Sequence, residues 1–120
     1  MNFLNHTVLI SVYDKTGISQ FSNFLLERKC TILSSGGTYN YIVSVPENKK
    51  FLENIHKIED YISFPHILGG RVKTLHPKIY GGILNRDTPN DYAEMIKHCI
   101  WPIDIVVVNL YPFKKVISKK

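Results

Sequence analysis

The sequence predicts an α/β fold on a mainly parallel sheet, and three features predict it. Short β-branched runs alternate with stretches of helical spacing. The runs are nearly continuous in apolar residues, as strands buried on both faces require. Polar residues gather just after them, where open α/β sheets bind ligands.

The first run, Thr7-Val8-Leu9-Ile10-Ser11-Val12, reads as such a strand. Asp14-Lys15-Thr16-Gly17 is a turn able to start a helix. Ile18, Phe21, Phe24, Leu25 and Arg28 then follow helical spacing, which predicts an amphipathic helix from about Ile18 to Arg28. A second strand, Cys30 to Leu33, leads into Ser34-Ser35-Gly36-Gly37-Thr38. Tyr41, Ile42 and Val45 suggest a short helix ending near Pro46. Pro46 to Lys50 is polar and predicts an exposed loop. Ile55 to Ile58 predicts a third, short strand. Phe64 to Gly82 is dense in Gly, Pro and His without sustained periodicity, and loops of that length are often functional. Pro89 reads as a helix start, with Tyr92 to His98 as its body. Asp104 to Asn109 is the clearest strand of all. Successive strands joined through helices imply right-handed crossovers.

A chain of 120 residues fits one domain, taken as residues 1–113 with a basic tail at 114–120. Its 44% hydrophobic and 21% charged residues place it among globular chains, able to bury a core without disulfides. Cys30 and Cys99 form no CxxC pair or zinc-spaced cluster, so two buried or half-buried thiols in a reducing compartment are expected. No secretory leader opens the chain and no apolar run approaches membrane-spanning length, which predicts a cytoplasmic protein without a membrane partner. The net charge of +5 sits mostly at one end: Lys114, Lys115, Lys119 and Lys120 leave 11 basic against 10 acidic residues elsewhere. No nucleic-acid motif accompanies that tail, so a polynucleotide partner is not expected.

Two strand-to-helix turns carry the first candidate chemistry. Ser11, Asp14, Lys15 and Thr16 follow the first strand; Ser34, Ser35, Gly36, Gly37 and Thr38 follow the second. A phosphate seeks backbone N–H groups, hydroxyls and a cation at a helix N-terminus, and these turns supply all three. Gly36-Gly37 lets the backbone approach an anion closely. SSGGT alone also fits a plain turn with an N-cap; two such turns at successive strand ends make the stronger case. Neither is a Walker loop, and no GxGxxG fingerprint is present.

Gly69-Gly70-Arg71-Val72-Lys73-Thr74-Leu75-His76-Pro77 adds two cations two residues apart, which point the same way in an extended segment. Arg71 and Lys73 there fit either one anion or a solvated basic loop. Asn109-Leu110-Tyr111-Pro112-Phe113 closes the last strand. Asn109 offers amide groups to a heterocycle edge and Tyr111 a phenol, or the aromatic pair covers the sheet end.

Taken together, SVYDKTG (Ser11 to Gly17), SSGGT (Ser34 to Thr38), GGRVKTLHPKIYGGIL (Gly69 to Leu84) and VVVNLYPF (Val106 to Phe113) resemble the N-terminal IMP cyclohydrolase domain of the bifunctional purine-synthesis enzymes. The pieces occur in the family's order across nearly the whole chain, and GRVKTLHP and NLYPF are highly specific. The resemblance implies a methylglyoxal-synthase-like fold, a three-layer α/β/α sandwich. It implies a reaction, closure of 5-formamidoimidazole-4-carboxamide ribonucleotide to IMP with loss of water and no cofactor or metal. It also implies a homodimer. By the resemblance, Lys73 and Tyr111 face the reacting groups. Lys15, Ser34, Gly36, Gly37, Thr38, Arg71 and Thr74 hold phosphate and ribose, with Ser11, Thr16 and Ser35 in the same turns and Asn109 near the base.

The sequence departs from the family in two places. An acidic residue and a further lysine that assist catalysis lie downstream of NLYPF in the family, and this sequence ends seven residues after Phe113. The stretch between Thr38 and Phe64 is longer than is typical, with the extra residues expected around Pro46 to Lys50. A largely present nucleotide pocket beside an incomplete catalytic set leaves three readings: a cyclohydrolase, a nucleotide-binding or sequestering module, or a fragment of a longer enzyme. Methylglyoxal synthase chemistry is a poorer match, since it needs carboxylate bases at the phosphate loops and only Asp14 is near them.

Overall fold

Four parallel strands form the sheet, in the spatial order β3-β2-β1-β4: β1 (Thr7–Ser11), β2 (Thr31–Ser34), β3 (Ile55–Lys57) and β4 (Ile105–Val108). The computed structural model describes residues 6–63 and 76–109. The central strand β1 is buried from Thr7 to Ile10, as a strand covered on both faces must be. Its neighbours pair in register, Thr7 with Thr31 and Val8 with both Ile32 and Ile105. At the start of the strands the Asp104 carboxylate accepts from the Thr7 amide at 2.8 Å, while the Asp104 amide donates to the Thr7 carbonyl at 2.8 Å.

Because side chains alternate along a strand, the sheet divides the core in two. Val8, Ile10, Ile32 and Ile55 face one way and pack with Ile18, Leu25 and Leu26 of α1 (Ile18–Glu27) and Ile42 of α2 (Gly36–Ser44). Leu9 and Leu33 face the other way and pack with Ile58 of α3 (Ile58–Ile62), Ile79 of α4 (Pro77–Leu84) and Ile103. Helices thus cover both faces, the three layers expected. In α1 the buried positions Ile18, Ser22, Leu25 and Leu26 mark one stripe at helical spacing. Gly17, which precedes it, has φ +79°, a left-handed conformation that glycine adopts without a Cβ clash.

Four local expectations are corrected. Pro46–Asn54 is a 3₁₀ segment kinked at Phe51 instead of a loop, although Pro46, Glu47, Lys49 and Lys50 are exposed as expected. Its Asn48 is fully buried and donates to Ser22 Oγ at 3.0 Å and to the Ile42 carbonyl at 2.9 Å, so a polar segment serves as a polar staple between α1 and α2. Residues 77–82, expected as part of a long loop, form most of α4; Pro77 starts it and the His76 ring accepts from the Lys78 amide at 3.1 Å. Ile58, expected to end the third strand, instead opens the short helix α3. Cys30 is buried as expected, whereas Cys99 is exposed, in a turn with φ 55° that follows α5 (Pro89–Lys97).

Aromatic packing fixes α3. The Tyr61 and Trp101 rings lie 4.5 Å apart, and the Trp101 amide donates to the Tyr61 hydroxyl at 2.8 Å. Burial pushes the Tyr61 phenol up. On the opposite edge, β4 leaves Val106 and Val108 exposed.

The first turn of α5 carries a strongly shifted carboxyl, Asp91. Arg86 grips Asp91 through Nε at 3.0 Å, a second guanidinium nitrogen at 2.6 Å and its own amide at 2.8 Å. These bonds hold the Asp91 carboxyl at about 2, against an ordinary 3.8. The ionised form is favoured in the folded chain, so this contribution to stability is present above the ordinary carboxylate range and lost as pH falls through about 2. Arg86→Ala is expected to raise the Asp91 midpoint in an NMR titration; an unchanged midpoint would assign the shift to another cause.

Candidate functional site

The C-terminal ends of the strands bring the turns together. Ile10 on β1 stands in register with Ser34 on β2, which in turn stands opposite Lys57 on β3; on the other side Ser11 stands opposite Val108, and Asn109 follows. Residues distant in sequence therefore share one edge, as the βαβ connection dictates.

The first two turns touch directly. Ser11 Oγ lies 3.1 Å from Ser35 Oγ. The buried Thr38 hydroxyl accepts from the Val12 amide and donates to the Val12 carbonyl, both at 3.2 Å, and so bolts α2 to the end of β1. Asp14 Oδ1 accepts from the Thr16 amide at 2.9 Å and the Thr16 hydroxyl at 2.6 Å, an Asx-type turn that shapes the approach to α1. Lys15 Nζ folds back onto the Val12 carbonyl at 3.0 Å and the Tyr13 carbonyl at 3.3 Å. The ammonium thus rests on backbone carbonyls just past the end of β1.

Asn109 reaches the same turn from β4. Its Oδ1 accepts from the Tyr13 amide at 2.7 Å and the Asp14 amide at 3.4 Å, and its Nδ2 donates to the Asp14 carbonyl at 2.7 Å. Both ends of the amide are engaged, so in this structure Asn109 orders the β1–α1 turn.

The second turn is the start of α2. Gly36 and Gly37 are its first two residues, so their N–H groups lie among the free amides of a helix N-terminus. Ser35, the N-cap, makes no side-chain cap bond; instead the Gly36 amide donates to Glu59 Oε1 at 3.2 Å. A Cβ placed on Gly37 would meet nothing within 4 Å, so a side chain there would face open space. Ser34 is completely buried, and its hydroxyl has no hydrogen-bond partner among the described residues.

The structure thus gathers Ser11, Lys15, Thr16, Ser34, Ser35, Gly36, Gly37, Thr38 and Asn109 at one edge. Arg71, Lys73, Thr74 and Tyr111 lie outside the described residues. Lys57, the last residue of β3, and Glu59, in the first turn of α3, belong to the same edge and were not singled out from the sequence. The signal was available, since polar residues after a strand's C-terminal end marked the other two turns; a three-residue strand made it faint. No group of three or more His, Cys, Asp or Glu with metal-binding placement occurs among the described residues, and none of the described helices is long and apolar enough to cross a membrane.

Comparison with known proteins gives the geometry a lineage. The chain is 50% identical over 113 residues to the bifunctional purine biosynthesis protein PurH of Thermoanaerobacter sp. (strain X514). The chain is homologous to a stretch of that bifunctional protein. The match takes in 93% of this chain and 21% of that protein, so the chain spans about a fifth of its relative's length. In structure it is similar to the crystal structure of ForH, with a TM-score of 0.74 and 33% identity over 89% of this chain and 53% of that one. No protein-family model matches the chain. The resemblance carried by SVYDKTG, SSGGT, GRVKTLHP and NLYPF is therefore a true relationship.

Proposed function

We propose that this domain works in purine biosynthesis as an IMP cyclohydrolase, taking the formamidoimidazole carboxamide ribonucleotide at the C-terminal edge of its sheet. The observation that carries this is the meeting of the two hydroxyl-rich turns, with Ser11 and Ser35 3.1 Å apart beside the N-terminus of α2. Such an edge suits a phosphate ester: hydroxyl and amide donors, Lys15 and a helix N-terminus converge there. Homology to a protein named for purine biosynthesis supports the choice of ligand.

The reaction needs little from a protein beyond placement and charge. The carboxamide nitrogen attacks the formyl carbon, forming the C–N bond as the formyl C=O opens to a hydroxyl. The attacking nitrogen gives up one proton as that oxygen becomes the hydroxyl, and the hydroxyl then leaves with the formamido N–H proton as water, forming the C=N bond that completes the purine. Holding the ribose phosphate while the two substituents meet supplies the orientation. In the proposed roles Lys73 stabilises the developing oxyanion and Tyr111 faces the same group. Arg71 and Thr74 join Lys15, Ser34, Gly36, Gly37 and Thr38 around phosphate and ribose. A cytoplasmic location and pairing into a homodimer belong to the same proposal.

Turnover tests it. The purified chain, mixed with the formamido nucleotide, is expected to produce IMP faster than a protein-free control, read by purine absorbance. No turnover with IMP still raising the melting temperature would leave a nucleotide-binding module; neither effect would remove the proposal. Arg71→Ala is expected to weaken phosphorylated ligands by about 1.5–3 kcal/mol, the range of a charge-assisted bond, and to leave nucleosides unaffected. An unchanged preference for the phosphorylated ligand would show that Arg71 does not hold the phosphate.

A further inference from the structure

We propose that the Glu59 carboxylate is a built-in competitor for the anion seat at the N-terminus of α2, so that a phosphorylated ligand must displace it to bind.

Glu59 Oε1 accepts from the Gly36 amide at 3.2 Å. That amide belongs to the first residue of a nine-residue helix, where free N–H groups and the aligned peptide dipoles favour negative charge. The carboxylate comes from outside the helix, on α3, 23 residues away in sequence. It reaches α2 only because β3 adds beside β2 and ends level with Ser34. The helix's own N-cap, Ser35, leaves the position vacant by turning its hydroxyl to Ser11.

A second observation marks the seat as built for something larger than one carboxylate oxygen. The Ser34 hydroxyl is fully buried and has no hydrogen-bond partner among the described residues. Ser34 shares its strand face with Ile32, which packs with Ile42 of α2, so its hydroxyl lies on the α2 side of the sheet beneath the first turn. A buried hydroxyl left unpaired carries a desolvation cost that a multi-oxygen ligand there would relieve. Glu59 satisfies Gly36 and leaves Ser34 without a partner among the described residues; a phosphate has oxygens enough for both. Glu59 thus screens ligands by charge: a neutral nucleoside does not dislodge it, whereas a phosphate dianion competes for the same donors.

This inference rests on the proposed nucleotide site, and the test separates the two. Glu59→Ala and Glu59→Gln are compared with the unaltered chain by calorimetry with IMP, inosine and inorganic phosphate, each variant checked by its melting transition. Glu59→Ala is expected to bind IMP about three- to tenfold more tightly, the scale of one anion–amide contact at a helix end, with inosine unchanged. Glu59→Gln, neutral but similar in shape, is expected to share part of that gain. Equal or weaker IMP binding in both variants would overturn the inference and make Glu59 a structural or ligand-holding residue. If no chain binds IMP, the nucleotide reading fails. Inorganic phosphate then decides the rest: stronger binding by the variants upholds the competitor, and an equal response overturns it. Should neither variant fold, the Gly36 amide resonance of the unaltered chain decides. It is expected to shift on phosphate addition, and a static signal overturns the proposal.

Discussion

Replacing Lys73 by alanine is expected to abolish IMP formation while weakening nucleotide binding only modestly. In the proposed reaction the ammonium acts on charge that exists only as the formyl oxygen becomes an oxyanion. Its loss therefore falls on the transition state more than on the bound substrate. Removing one such stabilising group costs roughly 10²–10³ in turnover. The change in IMP affinity should stay within about tenfold, one ordinary hydrogen bond to a charged group. The two quantities are separable: absorbance at saturating substrate reports turnover, and calorimetry with IMP reports affinity. Equal losses in both would make Lys73 a phosphate ligand, and the oxyanion would then need another partner. Arg71, two residues earlier, provides the contrast, since its expected effect is on affinity for the phosphate.

The second large effect is on stability. Gly82→Ala is expected to destabilise the fold by about 1–3 kcal/mol, as overpacking of a close contact does. A Cβ at Gly82 would stand 2.5 Å from the Trp101 carbonyl oxygen and 2.9 Å from Ile103 Cγ1. The carbonyl belongs to backbone, which cannot rotate aside as a side chain can. The Gly82 carbonyl also accepts from the Ile103 amide at 2.9 Å, so moving α4 outward would stretch that bond. Gly37→Ala is the control, because a Cβ there meets nothing within 4 Å. Thermal or urea unfolding measures both. A Gly82→Ala chain as stable as the unaltered one would mean that α4 does not pack against residues 101–103 as described.

The effects differ in how far the sequence announces them. Lys73 stands in GRVKTLHP, a motif specific enough to carry its expected role by resemblance. Gly82 stands in a stretch dense in Gly, Pro and His that reads as a loop. Two glycines in succession weaken helix propensity, and nothing local reveals that Gly82 is needed for close packing. Pro77 was the better guide, since proline suits the first turn of a helix. The 3₁₀ segment at 46–54 was missed for a related reason: its burial rests on Asn48, a polar residue that a hydrophobic pattern cannot flag.

By itself the sequence determined the four strands, the helices α1, α2 and α5, the parallel sheet and the two turns rich in hydroxyl donors. These follow from short-range regularities: continuous β-branched runs, apolar residues at helical spacing and turn residues between them. Each is a property of a few neighbouring residues and survives without knowledge of the rest. Tertiary structure alone decided who meets whom at the sheet edge. Asn109 engages the Tyr13 amide 96 residues away, and Glu59 takes the Gly36 amide 23 residues away. Those contacts depend on the lateral order β3-β2-β1-β4 and on its register. The pairing energy of parallel strands depends little on which strand is the neighbour, so order and register emerge only when all the layers pack together.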